Sequence, residues 1–170
     1  MKPVCKSKLT EMVQSYSYDG LNHLKEVKNS ATTASYTYNG DNLRQTKTVN
    51  GATTRHVYNG QNVIYEEMNG APKAVYHRLG DRIISSRVYS GEISYTYYYY
   101  AYNGQGNISQ ILAGSRVAVD YTYDAFGYKS ANINEDVYNP FRYNGEYYDE
   151  ETGYTYLRNR YYDSDKEQFI

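Results

Sequence analysis

The chain has no tryptophan, one cysteine and three prolines in 170 residues. A lone thiol, Cys5, cannot close an internal disulfide, which excludes a disulfide-stapled scaffold and a cysteine-based zinc centre. Charge of one sign is missing too. Eighteen Lys+Arg against 19 Asp+Glu leave a formal net charge of −1, without the basic footprint of a general nucleic-acid binder. No apolar run approaches the roughly 18 residues of a membrane-spanning helix, and residues 1–8 lack the apolar region of a secretory signal. Aliphatic core formers are scarce: Leu, Ile, Val and Phe total 29 of the 170 residues. In a highly charged chain that scarcity would signal disorder, but here the charge is balanced and β-forming residues abound.

What the sequence has instead is tyrosine, which supplies 25 residues against three phenylalanines. It also has turn chemistry. Asn-Gly occurs at Asn39-Gly40, Asn50-Gly51, Asn59-Gly60, Asn69-Gly70, Asn103-Gly104 and Asn144-Gly145, and Asp-Gly at Asp19-Gly20. Chance pairing would give about one Asn-Gly. Such dipeptides between alternating segments are the strongest short-range hairpin signal, and the expected turn is type I′, with φ > 0 at both central residues. With weaker breakers such as Ser90-Gly91 and Thr152-Gly153, turns recur about every ten residues, leaving strands of about six or seven. The fold class is all-β: about a dozen antiparallel strands in a meander of successive hairpins. No 3.6-residue apolar pattern crosses the breakers, although residues 6–14 are compatible with one turn of helix.

A longer period overlies the short one. Tyr16-Ser17-Tyr18-Asp19, Tyr36-Thr37-Tyr38-Asn39, His56-Val57-Tyr58-Asn59, Tyr100-Ala101-Tyr102-Asn103 and Tyr121-Thr122-Tyr123-Asp124 share Tyr-x-Tyr-Asp/Asn, with His56 in a tyrosine's place. The spacing is about 20 residues, so the double-length gap between Tyr58 and Tyr102 implies a degenerate copy around Tyr76-His77. Side chains two apart on a strand share a face, so each unit sets both rings on one side, and the strand Val117, Val119, Tyr121, Tyr123 extends it with Ala118 opposite. A dozen twisted strands curl rather than stay flat, and the thin aliphatic content argues against two apolar sandwich faces. A curved, shell-like sheet is expected.

These copies resemble YD repeats. The run Asn139-Pro140-Phe141-Arg142-Tyr143-Asn144-Gly145-Glu146-Tyr147-Tyr148-Asp149-Glu150-Glu151-Thr152-Gly153-Tyr154, with Leu157-Arg158-Asn159-Arg160-Tyr161-Tyr162-Asp163, resembles the RHS-associated core at the end of such arrays. The resemblance runs from Tyr16 to Ile170 and implies an N-terminal lead-in over 1–15, YD repeats over 16–128 and an RHS-associated core over 129–170, ending before any toxin. In RHS proteins, wall-associated toxins, toxin-complex C components and teneurins, YD repeats form a spiral β-shell, and the bacterial shells hold a C-terminal toxin until delivery. The resemblance therefore implies a curved YD-repeat shell segment: a non-catalytic scaffold of a toxin-encapsulating shell used in intercellular competition. It would be secreted or surface-associated as part of a larger protein, with no signal peptide in this chain. Its implied partners are the rest of the shell or a toxin cargo. The Asp-Pro-x-Gly element of the family's self-cleaving aspartyl site is absent, which leaves Asp163 an acid without its partner.

Other candidates are weighed on their chemistry. His23, His56 and His77 lack the local pairing of zinc ligands, so neither a metal site nor a cofactor is expected. Asp149-Glu150-Glu151 reads as a solvated turn rather than a catalytic acid pair, and Gly104-Gln105-Gly106-Asn107 lacks the lysine and helix of a phosphate loop. Catalytic residues are none, and binding residues are unassigned. Tyr97 to Tyr100 place rings on both faces of a strand. The bland reading packs both faces; the alternative is a carbohydrate-binding or cell-surface interaction module using exposed tyrosines such as Tyr98 and Tyr100. Arg158 and Arg160 are expected to stack on Tyr154, Tyr156 and Tyr162. Unpaired edge strands at the two ends of the meander favour self-association.

Overall fold

A computed structural model describes residues 14–134 and 136–170; Cys5 and nearly all of the 6–14 segment lie outside the described residues. Twelve strands form one antiparallel sheet in sequence order: β1 (Ser15–Tyr18), β2 (Leu24–Lys28), β3 (Thr33–Tyr38), β4 (Arg44–Val49), β5 (Ala52–Asn59), β6 (Asn62–Met68), β7 (Ala71–Leu79), β8 (Arg82–Tyr89), β9 (Tyr95–Tyr102), β10 (Ile108–Ala113), β11 (Arg116–Asp124) and β12 (Gly127–Ile133). The meander expected from the turn spacing is present. A second sheet of four very short strands follows, which the ten-residue beat does not announce: β13 (Tyr147–Asp149), β14 (Tyr154–Tyr156), β15 (Tyr161–Asp163) and β16 (Gln168–Phe169).

The large sheet is a curved wall around the small one. Flat, twelve strands about 4.8 Å apart would span about 50 Å. Yet both edges touch the same inner unit: the Tyr16 hydroxyl of β1 lies 2.6 Å from that of Tyr154, and the Tyr128 ring of β12 sits 5.0 Å from that of Tyr148. Only a concave wall brings them there.

Both rings of the Tyr-x-Tyr units share the inner face, as the spacing requires, and they do different work. The second ring links hairpins. At each repeat the returning strand bulges by one residue, as at Lys25, Gln45, Ile64, Ile84 and Ser109, opposite the step into Tyr18, Tyr38, Tyr58, Arg78 and Tyr102. The ladder to the next hairpin begins only beyond the bulge, at pairs such as Glu26↔Ser35 and Thr46↔Arg55. The carbonyls of Leu24, Arg44, Val63, Ile83 and Ile108 therefore have no strand partner on that side. The following repeat supplies one: Tyr38 Oη donates to Leu24 O (2.8 Å), Tyr58 to Arg44 O (2.8 Å), Arg78 Nε to Val63 O (3.0 Å), Tyr102 to Ile83 O (3.0 Å) and Tyr123 to Ile108 O (2.5 Å). A buried carbonyl needs such a donor, which is why tyrosine rather than phenylalanine recurs there. The degenerate copy is real: Tyr76 holds the first-ring position and Arg78 replaces the second phenol. A further bulge at Ala118, opposite Ile111 and Leu112, places Ala118 in the core beside Val119 instead of on the opposite face.

The turns depart in part from a uniform type I′ expectation. Asn50-Gly51 (φ 48°, 91°) and Asn69-Gly70 (φ 51°, 84°) are two-residue turns with both central φ positive. At Asp19, Asn39 and Asn103 the loop is longer, and the side chain itself caps it. Asn39 Oδ1 accepts from Asp41 N (3.0 Å) and Leu43 N (2.9 Å), while the positive φ moves to Asn42.

Candidate functional site

The seam where the wall meets the inner sheet concentrates the molecule's buried polar chemistry. Arg44 enters from β4 at the register position beside Tyr38, and Asp149 from the end of β13. Both are fully buried. The Arg44 guanidinium grips the carboxylate with two bonds, Nη1 to Oδ2 (2.5 Å) and Nη2 to Oδ1 (3.0 Å), and Lys47 Nζ adds a third at 2.9 Å before reaching Glu151 at 3.1 Å. The rings of Tyr36, Tyr147, Tyr156 and Tyr161 surround the guanidinium at 4.4–6.0 Å. Burial opposes the ionised form of Asp149, but the charges of Arg44 and Lys47 prevail and hold its pKa below 3.8. Burial, together with the like charge of Asp149, pushes Glu151 up.

A second knot centres on Glu66 of β6, also fully buried. It accepts from Tyr76 Oη of the wall (2.5 Å) and from Tyr138 (3.1 Å) and Tyr147 (2.7 Å) of the inner segment. His56 Nε2 lies 3.3 Å from its Oε1. A third knot is neutral: Asn139 bonds Tyr100 and Tyr121, the first rings of two further repeats. Beside it, Arg142 is sandwiched between Tyr128 and Tyr148, each 4.3 Å away, and pairs with Glu150. The first rings of the repeats thus face the inner segment, while the second rings bond the neighbouring hairpin and some also reach the inner segment, Tyr38 at Tyr161 (2.9 Å) and Tyr123 at Tyr143 (5.9 Å). Burial raises the phenols of Tyr36, Tyr76, Tyr100 and Tyr121, and that of Tyr148 to about 12. Next to the seam the wall leaves a concavity of about 820 Å³, lined by groups that include Lys47, Lys73, Tyr98, Tyr138, Glu150 and Glu151.

No family model matches the chain. Over 69 residues, 39% of its length, the chain is 42% identical to the tRNA3(Ser)-specific nuclease WapA of Bacillus spizizenii and to the tRNA nuclease WapA of Bacillus subtilis. It spans only 3% of those curated relatives. Its structure is similar to TcdB2-TccC3, with a TM-score of 0.70 at 17% identity over 92% of this chain and 9% of that one. It is also similar to a Photorhabdus luminescens Tc holotoxin pore, at 0.69 and 18% over 89% and 8%. These solved structures are RHS/YD-repeat shell proteins. The chain carries the RHS/YD-repeat shell fold.

Within this YD-repeat fold several residues stand elsewhere than the sequence suggests. Asp149 is no solvated turn residue: pairing with β14 turns its carboxylate inward onto Arg44, and of the acidic run only Glu150 projects outward. Tyr98 and Tyr100 are buried, whereas Tyr95, Tyr97 and Tyr99 are 43–47% exposed on the outer face, so the strand is not packed on both sides. Arg158 pairs with Glu146 (2.7 Å) and Arg160 lies over Phe169 (4.3 Å). The reversal closed by Leu157 N donating to Arg160 O breaks the alternation that would have stacked both on tyrosines. Asp163 caps its own turn, accepting from Asp165 N and Lys166 N, and pairs with Lys166. The three histidines are not brought together: His23 stacks on Tyr38, His56 faces the seam and His77 lies on the outer face against Ser85. Sequence reasoning missed Arg44, Lys47 and Glu66. The available signal was a charged residue at an inward register position of a strand, since such a residue needs a buried counter-charge.

Proposed function

We propose that the chain is a non-catalytic wall element of a toxin-encapsulating shell acting in intercellular competition, outside the producing cell and as part of a larger protein. The observation that carries this reading is the division of labour between the paired rings. From Tyr38 onward the second position of each unit donates to the preceding hairpin, with Arg78 in the ring's place once, and the first position faces an inner segment on the concave side, which Tyr38 also touches through Tyr161. Such a wall extends by adding hairpins, and the outer edges of β1 and β12, unpaired among the described residues, are where it would continue. We read residues 1–15 as lead-in, 16–128 as YD repeats and 129–170 as the RHS-associated core. Deleting the gene from a producing strain should abolish its advantage over a susceptible neighbour in contact; an unchanged advantage would overturn the competition role. The purified chain should leave tRNA intact, and cleavage by it would sink the non-enzymatic reading.

A second reading, a carbohydrate-binding surface, is favoured by the outward rings of Tyr95, Tyr97 and Tyr99. Their hydroxyls make no hydrogen bond among the described residues, so these rings do not serve the wall as the inward ones do. Glycan binding lost on Tyr97→Ala and Tyr99→Ala would support it.

A further inference from the structure

His56 stands apart among the first-ring positions. Tyr16, Tyr36, Tyr76, Tyr100 and Tyr121 occupy the others, and among the first-ring positions only this one carries an imidazole, a group whose unperturbed pKa lies near neutrality. The imidazole is buried at the seam. It meets the Tyr147 ring of the inner sheet edge-on (5.3 Å, 84°) and the Tyr58 ring at 6.4 Å. Its Nε2 lies 3.3 Å from Glu66 Oε1, off the line of a hydrogen bond, and neither ring nitrogen has a hydrogen-bond partner among the described residues. Glu66 is already engaged by Tyr76, Tyr138 and Tyr147, while β4 presents the positive Arg44 and Lys47, themselves held by Asp149 and Glu151.

We propose that His56 and Glu66 form an acid-sensitive lock on the seam, closed while the imidazole is neutral and released by its protonation, so that the inner sheet loosens from the wall while the wall stays paired. A proton on His56 would place a third cation near Arg44 and Lys47 in a dry site, beside a carboxylate that already accepts from three phenols and whose remaining acceptor site, on Oε1, lies off the line of Nε2. Burial, opposed by Glu66 and helped by Arg44 and Lys47, keeps its pKa below 6.5 in the closed form. Opening hydrates the ring and restores its ordinary affinity for a proton. The closed form therefore loses stability as pH falls below about 6.5, up to about tenfold in the opening equilibrium per pH unit for one proton.

The test is hydrogen exchange on the full chain from pH 7.5 to 5, corrected for intrinsic rates, comparing β13 and β14 amides with those of β7 and β8. Protection of β13 and β14 should fall by up to about tenfold per unit below pH 6.5 while β7 and β8 hold. His56→Tyr, which restores the repeat residue, should flatten that dependence, and His77→Gln should leave it unchanged. An unaltered slope in His56→Tyr overturns the lock. If that variant fails to fold, imidazole NMR of the unmodified chain decides. His56 protonating near pH 6.5 with β13 and β14 still protected overturns the proposal; protonation only alongside their loss of protection supports it.

Discussion

The twelve-stranded wall and the four-stranded inner sheet are built from the same tyrosine-rich vocabulary but held by different forces. Wall strands of four to nine residues pair with their immediate sequence neighbours, so nearly all of their backbone bonds are local. Inner strands of two or three residues have too little ladder to stand alone. They and the segment leading into them are secured by side chains reaching across the seam: Asp149 to Arg44, Tyr147 to Glu66 and Asn139 to Tyr100 are 105, 81 and 39 residues apart in sequence. A local scaffold tolerates side-chain loss, whereas a small sheet fixed by buried ions does not.

The largest effect should come from cutting the central ion pair. Asp149→Ala leaves Arg44 and Lys47 without their shared counter-charge in a buried site, and a loss of about 3–5 kcal/mol is expected in chemical denaturation. Replacing both charges, as in Arg44→Met with Asp149→Leu, should cost much less, and equal costs would show that the pair itself is not what holds the seam. Acid should act on the same site. Asp149 has its pKa depressed in the fold, so its contribution is present above about pH 3.8 and is lost as pH falls through the folded value. Inner-sheet amides should lose protection before wall amides in that range, and Asp149→Asn should remove the step.

Next in size, the two rings of one repeat should respond in opposite ways. Tyr38→Phe strips the donor from the Leu24 carbonyl, along with a contact to the Tyr161 hydroxyl, and should cost about 1–2 kcal/mol. The Tyr36 hydroxyl is buried without a hydrogen-bond partner, so Tyr36→Phe should be neutral or stabilising by denaturant midpoint. Smaller again is the turn contrast. Gly51 has φ +91° with open space around it, so Gly51→Ala should cost about 1 kcal/mol through backbone strain alone. Gly40 has equal space and no positive φ, so Gly40→Ala should fall within about 0.5 kcal/mol. Smallest is the outer face, where Tyr97→Ser should leave stability unchanged within the same margin.

Much of the wall was legible because its causes are local. Asn-Gly and Asp-Gly report where the chain reverses, and the two-residue spacing of Tyr16 and Tyr18 or Tyr36 and Tyr38 reports a shared face. The caps of Asp19, Asn39 and Asn103 were half legible: the residue type marks a turn, but whether its side chain or its φ does the work depends on loop length. The seam was not legible. Nothing near Asp149 in sequence distinguishes it from Glu150, yet one is fully buried and the other projects into solvent. For the Tyr97–Tyr100 run, alternation separated the two sets of rings, but which set faces inward follows from the register of β9 against β8 and β10.

The sequence by itself determined reversing strands, their beat and a face lined with phenols, because turn φ preferences and strand alternation act over a few residues. Tertiary structure alone decided that the wall curves around a second sheet, that Asp149 meets Arg44 and Lys47, and that His56 lies against Glu66. Those pairings join groups far apart in the chain, and their energies arise only when curvature removes water from both partners at once.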